Sequence, residues 1–244
     1  ALVKGRNARA WDVDGKEYID FTAGIGVNAL GYSDPEWVQA VAGQAGAIQH
    51  LCNYYYSPEN TALAQELSQA SGMAKAFFCN SGAEANECAV KIARKYGEKR
   101  GAYKIVTLNN SFHGRTLTTL AATGQEGFHK DFLPLTEGFL YAEAGDLEGI
   151  RALLDGSVCA VMLEMVQGEG GVIPMDEEFV KGLAQLCGEK DVLLLIDEVQ
   201  TGIGRTGSFY AYQGYGVKPD VVTTAKGLAG GRPMGACLGS ERLG

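Results

Sequence analysis

The sequence of 244 residues predicts an α/β fold with a mostly parallel sheet covered by helices on both faces. From Lys75 onward, short and continuously apolar segments alternate with amphipathic segments. Buried parallel strands have the first pattern and the helices that cover them have the second. Several of the apolar segments end in polar or charged residues, and the carboxyl ends of parallel strands are where α/β proteins bind ligands.

The first 34 residues predict a hairpin followed by a loop. Residues 11–21 alternate between apolar and polar side chains around the pair Asp14-Gly15, which is a strong hairpin signal. Residues 22–35 contain too many glycines for a regular element. We therefore divide the chain into an N-terminal segment, residues 1–34, and one large domain, residues 35–244.

The large domain begins with two helices that open on prolines. Pro35 begins a helix to about residue 49, and Ser57-Pro58 begins another through residue 67, with the serine hydroxyl as N-cap. Strands are predicted at residues 76–79, 104–108, 158–163, 192–196 and 221–224, and helices at 84–96, 146–154 and 176–187.

The composition favours a small-molecule partner. With 21 basic and 29 acidic residues the net charge is −8, which argues against nucleic acid and anionic membranes as partners. Six cysteines without a C-x-x-C pair indicate reduced thiols of a cytoplasmic protein, and three dispersed histidines predict no metal site. No apolar run approaches the length that spans a membrane.

The segment 220–236 contains the most informative lysine. A short apolar strand places Lys226 at its carboxyl end, and a glycine-rich run follows. A lysine held in this way can form a Schiff base with a carbonyl compound. From this segment alone, a solvated surface lysine is the alternative, because most lysines are exposed.

A tight turn joins the strand at 76–79 to the following helix. The turn, Ser81-Gly82-Ala83, leaves backbone amides free at the N-terminus of the helix, and such amides bind phosphate well. Many strand-to-helix turns have this form without a ligand, so the signal is weak alone. It also lacks the G-x-G-x-x-G pattern, which argues against a nicotinamide-dependent dehydrogenase.

Two further strand ends carry reactive side chains. The strand at 192–196 ends in Asp197 and Glu198, of which only one can face a given crevice because side chains alternate along a strand. A protonated heterocyclic nitrogen would be a suitable partner for that carboxylate, and a metal or a salt bridge are the alternatives. After the strand at 104–108, Phe112 could stack on a flat ring and Arg115 could bind a carboxylate, although each is more often structural.

Together these motifs resemble the class III pyridoxal-phosphate-dependent aminotransferases, with the acetylornithine aminotransferase group as the nearest pattern. The resemblance covers nearly the whole chain and implies fold type I with a C-terminal small domain beyond this sequence. It rests on five motifs in order: Ser81-Gly-Ala-Glu-Ala-Asn86, Ser111-Phe-His-Gly-Arg-Thr116, Gln167-Gly-Glu-Gly-Gly171, Ile196-Asp-Glu-Val-Gln-Thr-Gly202 and Ala225-Lys-Gly227.

The resemblance implies pyridoxal 5'-phosphate as cofactor and assigns the residues that hold it. Lys226 would bind the cofactor covalently and transfer protons, and Asp197 would pair with its ring nitrogen. The remaining cofactor-binding residues would contact the phosphate (Ser81, Gly82, Ala83), the two ring faces (Phe112, Val199) and the phenolic oxygen (Gln200).

The resemblance also implies the substrates and a partner. Arg115 would bind the α-carboxylate of an ornithine-type substrate, and Glu169 would control the use of glutamate. The expected reaction transfers the terminal amino group of N-acetylornithine, or N-succinylornithine, to 2-oxoglutarate in a cytoplasmic enzyme of arginine metabolism. The family forms homodimers with shared sites, in which a partner threonine and a glutamate-binding arginine come from sequence beyond residue 244.

Several alternatives stay open. Within the class they are ornithine aminotransferase, 4-aminobutyrate aminotransferase and an aminomutase of the same fold. Ornithine aminotransferases carry a tyrosine at about the position of Gly24, and its absence here favours an acylated ornithine. A non-catalytic fragment that binds the cofactor is the alternative from another class.

Overall fold

The computed structural model describes residues 1–243. A three-stranded antiparallel sheet forms first, from β1 (Leu2–Arg6), β2 (Arg9–Asp12) and β3 (Glu17–Ile19). Strands β2 and β3 form the predicted hairpin, and the Asp12 carboxylate accepts the amides of Asp14 and Lys16 in its turn. The hairpin prediction is thus confirmed, while strand β1 was not predicted.

Two helices follow a short helical turn, α1 (Ala23–Gly26). Helix α2 (Pro35–Ala47) begins after Asp34, whose side chain accepts the amide of Trp37. Helix α3 (Pro58–Ser71) is capped by Ser57, as predicted, and extends four residues beyond the predicted end. It stops where Gly72 adopts a left-handed conformation with φ of 72°, which glycine takes without a steric penalty.

The large sheet has seven strands in the order β4-β12-β11-β10-β7-β5-β6. Its strands are β4 (Lys75–Cys79), β5 (Lys104–Leu108), β6 (Phe139–Ala142), β7 (Val158–Glu164), β10 (Leu193–Asp197), β11 (Val221–Thr224) and β12 (Gly235–Gly239). Two short strands, β8 (Val166–Gln167) and β9 (Ile173–Pro174), form a separate pair. Only β12 runs antiparallel to its neighbours in this sheet, so the mostly parallel arrangement is confirmed.

Strands β6 and β12 were not predicted from the sequence. Strand β12 begins at the end of the glycine-rich run after Lys226, where we predicted no strand. Its first residue packs so closely that a Cβ on Gly235 would lie 2.3 Å from the carbonyl oxygen of Ser81. The glycine therefore allows β12 to enter the sheet beside β4, where backbone pairing replaces the missing side-chain contacts.

Helices cover both faces of the large sheet, as predicted. They include α4 (Gly82–Gly97), α6 (Leu147–Leu153) and α7 (Glu177–Lys190), which correspond to predicted helices, and α5 (Leu117–Ala122), which was not predicted. The side chains of β10 alternate between two hydrophobic clusters, one on each face of the sheet. Leu193 and Leu195 pack on the α4 side, and Leu194 and Ile196 pack on the side of α6 and α7. Burial of one such side chain stabilises the fold by roughly 1.5–3 kcal/mol.

The carboxyl ends of three neighbouring strands bring polar side chains together. In the pairing register, Asp197 of β10 lies opposite Glu164 of β7 and Thr223 of β11. The N-terminus of α4 and Lys226, two residues beyond β11, lie at the same edge of the sheet. Within residues 1–243, no helix combines the length and apolar character that crossing a membrane requires.

Candidate active site

A cavity of about 400 Å³ opens at the carboxyl ends of β7, β10 and β11. It is lined by the predicted cofactor-binding residues, all eight of them: Ser81, Gly82, Ala83, Phe112, Asp197, Val199, Gln200 and Lys226. These residues come from four separate motifs of the sequence. The fold thus gathers them at one site.

Lys226 follows β11 and begins a 3-10 turn, Lys226–Ala229. Its backbone has φ of 46°, an uncommon conformation for a residue with a side chain, and such strain is concentrated at functional sites. Burial lowers the pKa of Lys226, although the negative charges of Asp197, Glu169 and Glu164 oppose that shift. The lowered pKa increases the fraction of neutral amine, which is the nucleophilic form.

Asp197 is buried at the floor of the cavity and held by three donors. Its Oδ2 lies 2.8 Å from both Asn86 Nδ2 and His113 Nδ1, and its Oδ1 accepts the amide of Val199. Asn86 is itself fixed, because its Oδ1 accepts a 2.6 Å hydrogen bond from the Thr223 hydroxyl. These hydrogen bonds orient the carboxylate and offset the free-energy cost of burying it.

Two further titratable groups adjoin Asp197. Burial by itself lowers the pKa of His113, but the hydrogen bond and charge of Asp197 and the charge of Glu164 outweigh it, so this pKa is raised. Burial raises the pKa of Glu164 to about 7, a shift that the charge of His113 opposes and that of Asp197 assists. The cluster is rich in carboxyl groups and therefore favours a cation beside Asp197.

Glu198 has a different position from its neighbour Asp197. It is fully buried, does not line the cavity, and accepts hydrogen bonds from the Thr201 hydroxyl and the Tyr212 amide at 2.5 and 2.8 Å. Burial raises the pKa of Glu198, and these hydrogen bonds oppose the shift. Its contacts are structural, as expected from the alternation of side chains along β10.

The N-terminus of α4 has free backbone amides, which are suited to an anion. The Ser81 hydroxyl caps the helix, accepting the amide of Glu84 at 3.2 Å and donating to its carboxylate at 3.0 Å. Within residues 1–243 the amides of Gly82 and Ala83 have no recorded partner. A Cβ on Gly82 would lie 2.7 Å from Val199 Cγ1, so the glycine keeps this edge open.

Gln200 depends on a glycine of another motif. A Cβ on Gly168 would lie 2.7 Å from Gln200 Cδ, so only a glycine leaves space for the Gln200 side chain in its present position. Two motifs that are distant in sequence are therefore in direct contact at this point. Gln200 is thereby held at the cavity wall.

The two predicted substrate-binding residues lie outside the cavity wall. Both Arg115 and Glu169 are exposed. The guanidinium of Arg115 lies over the ring of Phe128, 4.6 Å from its centre, and 5.6 Å from the centre of the Phe112 ring. The charge of Glu169 still influences the pKa of Lys226.

Sequence reasoning missed several residues of the site. Glu164 ends an apolar strand with a carboxylate, the same signal that identified Asp197, and could have been found in this way. Asn86 and His113 belong to motifs that we singled out, but nothing in their local sequence predicts contact with Asp197. Val27 and residues 231–234 also line the cavity, and no local signal indicates them.

Comparison with known proteins identifies the family. The whole chain, residues 1–244, matches the family "Aminotransferase class-III". The fold and the site agree, and the chain belongs to the class III aminotransferases, which depend on pyridoxal phosphate.

Particular relatives narrow the resemblance further. The chain is 51% identical to the acetylornithine aminotransferase of Haemophilus ducreyi over 247 aligned residues, 100% of this chain and 63% of that protein. It is 51% identical to the acetylornithine aminotransferase of Caldanaerobacter subterraneus, covering 98% of this chain and 62% of that protein. The chain thus spans less than two thirds of the length of these relatives.

Solved structures show the same fold. The ornithine aminotransferase of Toxoplasma gondii has a TM-score of 0.94 and 32% identity, covering 99% of this chain and 59% of that one. The N-acetylornithine aminotransferase of Stenotrophomonas maltophilia has a TM-score of 0.86 and 42% identity, covering 99% and 62%. The prediction of a pyridoxal-phosphate transferase fold is thereby confirmed.

The residues of the cavity fit pyridoxal phosphate. Unpartnered amides at the N-terminus of α4 suit its phosphate, and the open edge at Gly82 leaves room for the group. Asp197, buried and held by Asn86 and His113, suits a protonated ring nitrogen. Lys226, with its lowered pKa, suits a reactive carbonyl.

Proposed function

We propose that the protein transfers the terminal amino group of N-acetylornithine, or of N-succinylornithine, to 2-oxoglutarate. The products would be the corresponding semialdehyde and glutamate, formed in two half-reactions at one site. The observation that carries this proposal is the convergence of Lys226, Asp197 and the Gly82 turn on one cavity. The relatives named acetylornithine aminotransferase support this substrate class.

In this proposal each residue of the site has a definite role. When bound, pyridoxal phosphate supplies an electron sink for the substrate carbon. Lys226 Nζ would move a proton from the substrate carbon that bears the amine to the C4′ carbon of the cofactor, and the Asp197 carboxylate would keep the ring nitrogen protonated. His113 and Asn86 hold Asp197 in place, and the amides of Gly82 and Ala83 bind the phosphate.

The proposed substrate contacts come from the edge of the cavity. Arg115 would bind the α-carboxylate of the amino donor, since a guanidinium binds a carboxylate through two parallel hydrogen bonds. Glu169 would control access of the second substrate, glutamate or 2-oxoglutarate. The absence of a tyrosine at Gly24 favours an acylated ornithine over free ornithine.

The proposal includes a homodimer with shared sites and a cytoplasmic role in arginine metabolism. Exposed aromatic side chains support association: Phe21, Tyr54 and Tyr56 are 93, 93 and 98% exposed. All six cysteines are free thiols, which is typical of a reducing compartment.

Replacement of Lys226 tests the proposed function. We expect Lys226→Ala to abolish the cofactor's absorbance band near the visible edge and to lower transamination of N-acetylornithine by at least about 10²- to 10⁴-fold, the usual contribution of a general acid–base. The exposed Lys218→Ala is the matched control and should change neither.

A comparison of amino donors in the same transamination assay distinguishes the alternatives. The donors are N-acetylornithine, free ornithine and 4-aminobutyrate. A preference for free ornithine or 4-aminobutyrate over N-acetylornithine would contradict the substrate proposal. An absorbance band that depends on Lys226, without turnover of any donor, would instead support the non-catalytic alternative.

A further inference from the structure

The guanidinium of Arg115 is free of polar partners and rests on aromatic rings. Within residues 1–243 the structure records no hydrogen bond and no ion pair of its nitrogens. Its central carbon lies 4.6 Å from the centre of the Phe128 ring and 5.6 Å from that of Phe112. Both distances are within the range of a cation–π contact, about 6 Å.

Phe128 has a well-anchored position from which to support Arg115. It ends the turn Glu126–Phe128, and its half-buried ring meets Phe112 edge to face at 5.8 Å and 70°. The side chain of Gln125 donates to the carbonyl of Ser111 at 2.9 Å. His129 Nε2 lies within hydrogen-bond distance of two carbonyl oxygens of the α5 region. The turn is thus tied to the segment that carries Phe112 and Arg115.

We propose that Phe128 is a positioning residue that selects amino donors with an α-carboxylate. This inference rests on the proposed function, in which Arg115 binds that carboxylate. A ring beneath the guanidinium occupies one of its faces and leaves the in-plane N–H groups free, and these groups bind a carboxylate bidentately. Phe128 also contacts Phe112, which lines the cavity, and this contact fixes the position of the Arg115 guanidinium relative to the cavity.

A pair of donors that differ only in the carboxylate tests the proposal. N-acetylornithine and N-acetylputrescine share the acylated chain and the terminal amine, so the ratio of their kcat/KM values measures the contribution of the carboxylate. We expect Phe128→Leu to lower this ratio about two- to fivefold, the loss of one exposed cation–π contact. Phe128→Tyr, which keeps the ring, should retain the ratio.

A binding measurement provides a readout that does not need turnover. N-acetylnorvaline keeps the carboxylate and the chain but lacks the reactive amine. Its dissociation constant, measured by calorimetry, should rise by the same factor in Phe128→Leu and stay unchanged in Phe128→Tyr. Phe132→Leu is the matched control, because Phe132 is an exposed aromatic of the same segment without a recorded contact to Arg115.

The outcomes separate this inference from the proposed function. Arg115→Gln should collapse the donor ratio and abolish the binding of N-acetylnorvaline. If Arg115→Gln has no effect, or if the original protein does not bind N-acetylnorvaline, the proposed role of Arg115 is wrong and the inference fails with it. If Arg115→Gln acts as expected but Phe128→Leu matches Phe128→Tyr or Phe132→Leu, only the role of Phe128 is overturned.

Discussion

The carboxylate of Asp197 depends on side chains that are remote in sequence. Asn86 and His113 come from α4 and from the segment after β5, and both contact the same oxygen. Asn86 also donates to the carbonyl of His113 at 2.7 Å, so the two residues form one unit. Loss of one member therefore leaves several buried groups without partners, which costs more than one hydrogen bond contributes.

Removal of the Thr223 hydroxyl tests this network. Thr223→Val takes away the donor to Asn86, and we expect it to lower the free energy of unfolding by about 1–2 kcal/mol. Asn86→Ala should cost about 2–4 kcal/mol, because it also removes a donor to Asp197. Denaturant unfolding measures both values. The buried Thr107 hydroxyl has no recorded partner within residues 1–243, so Thr107→Val should be neutral or stabilising.

Replacement of Glu164 by glutamine changes the dependence of stability on pH. Burial raises the pKa of Glu164 from 4.5 to about 7. Between these values the native state binds more protons than the unfolded state, so this group's contribution to stability falls as pH rises from 4.5 to about 7. Glutamine does not titrate, so Glu164→Gln does not lose this contribution. The free energy of unfolding of Glu164→Gln, relative to that of the original protein, should therefore rise by about 1–3 kcal/mol between pH 4.5 and about pH 7.

Unfolding free energies at several pH values measure the difference. The raised pKa of His113 acts in the same direction above its ordinary value, and Glu164→Gln reduces that shift as well, because the charge of Glu164 contributes to it. A constant difference between the two proteins over this pH range would show that Glu164 does not titrate there.

At the level of elements, α4 supplies both the anion site and a large part of one core layer. Its first turn contributes free amides, and its next turns contribute Ala89, Val90 and Ala93 to the core. The same helix also carries Asn86, which holds Asp197. A displacement of α4 therefore affects the free amides of its first turn and the support of Asp197 together.

An added methyl group at Gly82 tests the role of the α4 N-terminus. Gly82→Ala places a Cβ 2.7 Å from the stiff side chain of Val199, so Val199 or the helix must shift. We expect a loss of stability of about 1–3 kcal/mol and a weaker affinity for pyridoxal phosphate, measured by unfolding and by absorbance titration.

Helix α2 provides the control for this substitution. A Cβ on Gly43 meets nothing within 4 Å, so Gly43→Ala should stabilise the protein by about 0.5–1 kcal/mol through helix propensity. Cofactor affinity should stay unchanged in Gly43→Ala. An unaltered affinity in Gly82→Ala would contradict the proposed phosphate site.

At the scale of the whole molecule, the N-terminal third exposes much apolar surface. Helix α2 has no buried residue, and Phe21, Tyr54 and Tyr56 are almost fully exposed. Soluble monomers rarely expose large contiguous apolar patches, so this surface favours association. The proposed homodimer would cover it with a second copy of the chain.

Charged substitutions on this surface test the dimer. The double replacement Tyr54→Glu and Tyr56→Glu should shift the protein from dimer to monomer in sedimentation experiments, because two buried charges without partners are costly. Phe132→Glu introduces a charge at another exposed aromatic and should leave the assembly intact. A monomeric original protein, or a dimer that tolerates the double replacement, would contradict the proposed surface.

Most of the longer elements could be predicted from the sequence, but strands β1, β6, β8, β9 and β12 and helix α5 could not. Strands β7 and β10 are continuous apolar runs, and Ser57 and Asp176 cap their helices as local chemistry predicts. Strand β12 is glycine-rich and is stabilised by pairing with β4 and β11, which no local pattern reveals. The division of the chain at residue 34 stays a prediction.

The sequence by itself determined which residues can do chemistry here: a lysine after a strand end, a turn with free amides before a helix, and a carboxylate at the end of an apolar strand. Each depends on a few contiguous residues, whose conformation follows from local preferences. Only the tertiary structure decided that Glu164, Asp197 and Thr223 stand side by side, and that Arg115 rests on Phe128. The strand order and the helix packing set those contacts, because they join residues that are distant along the chain.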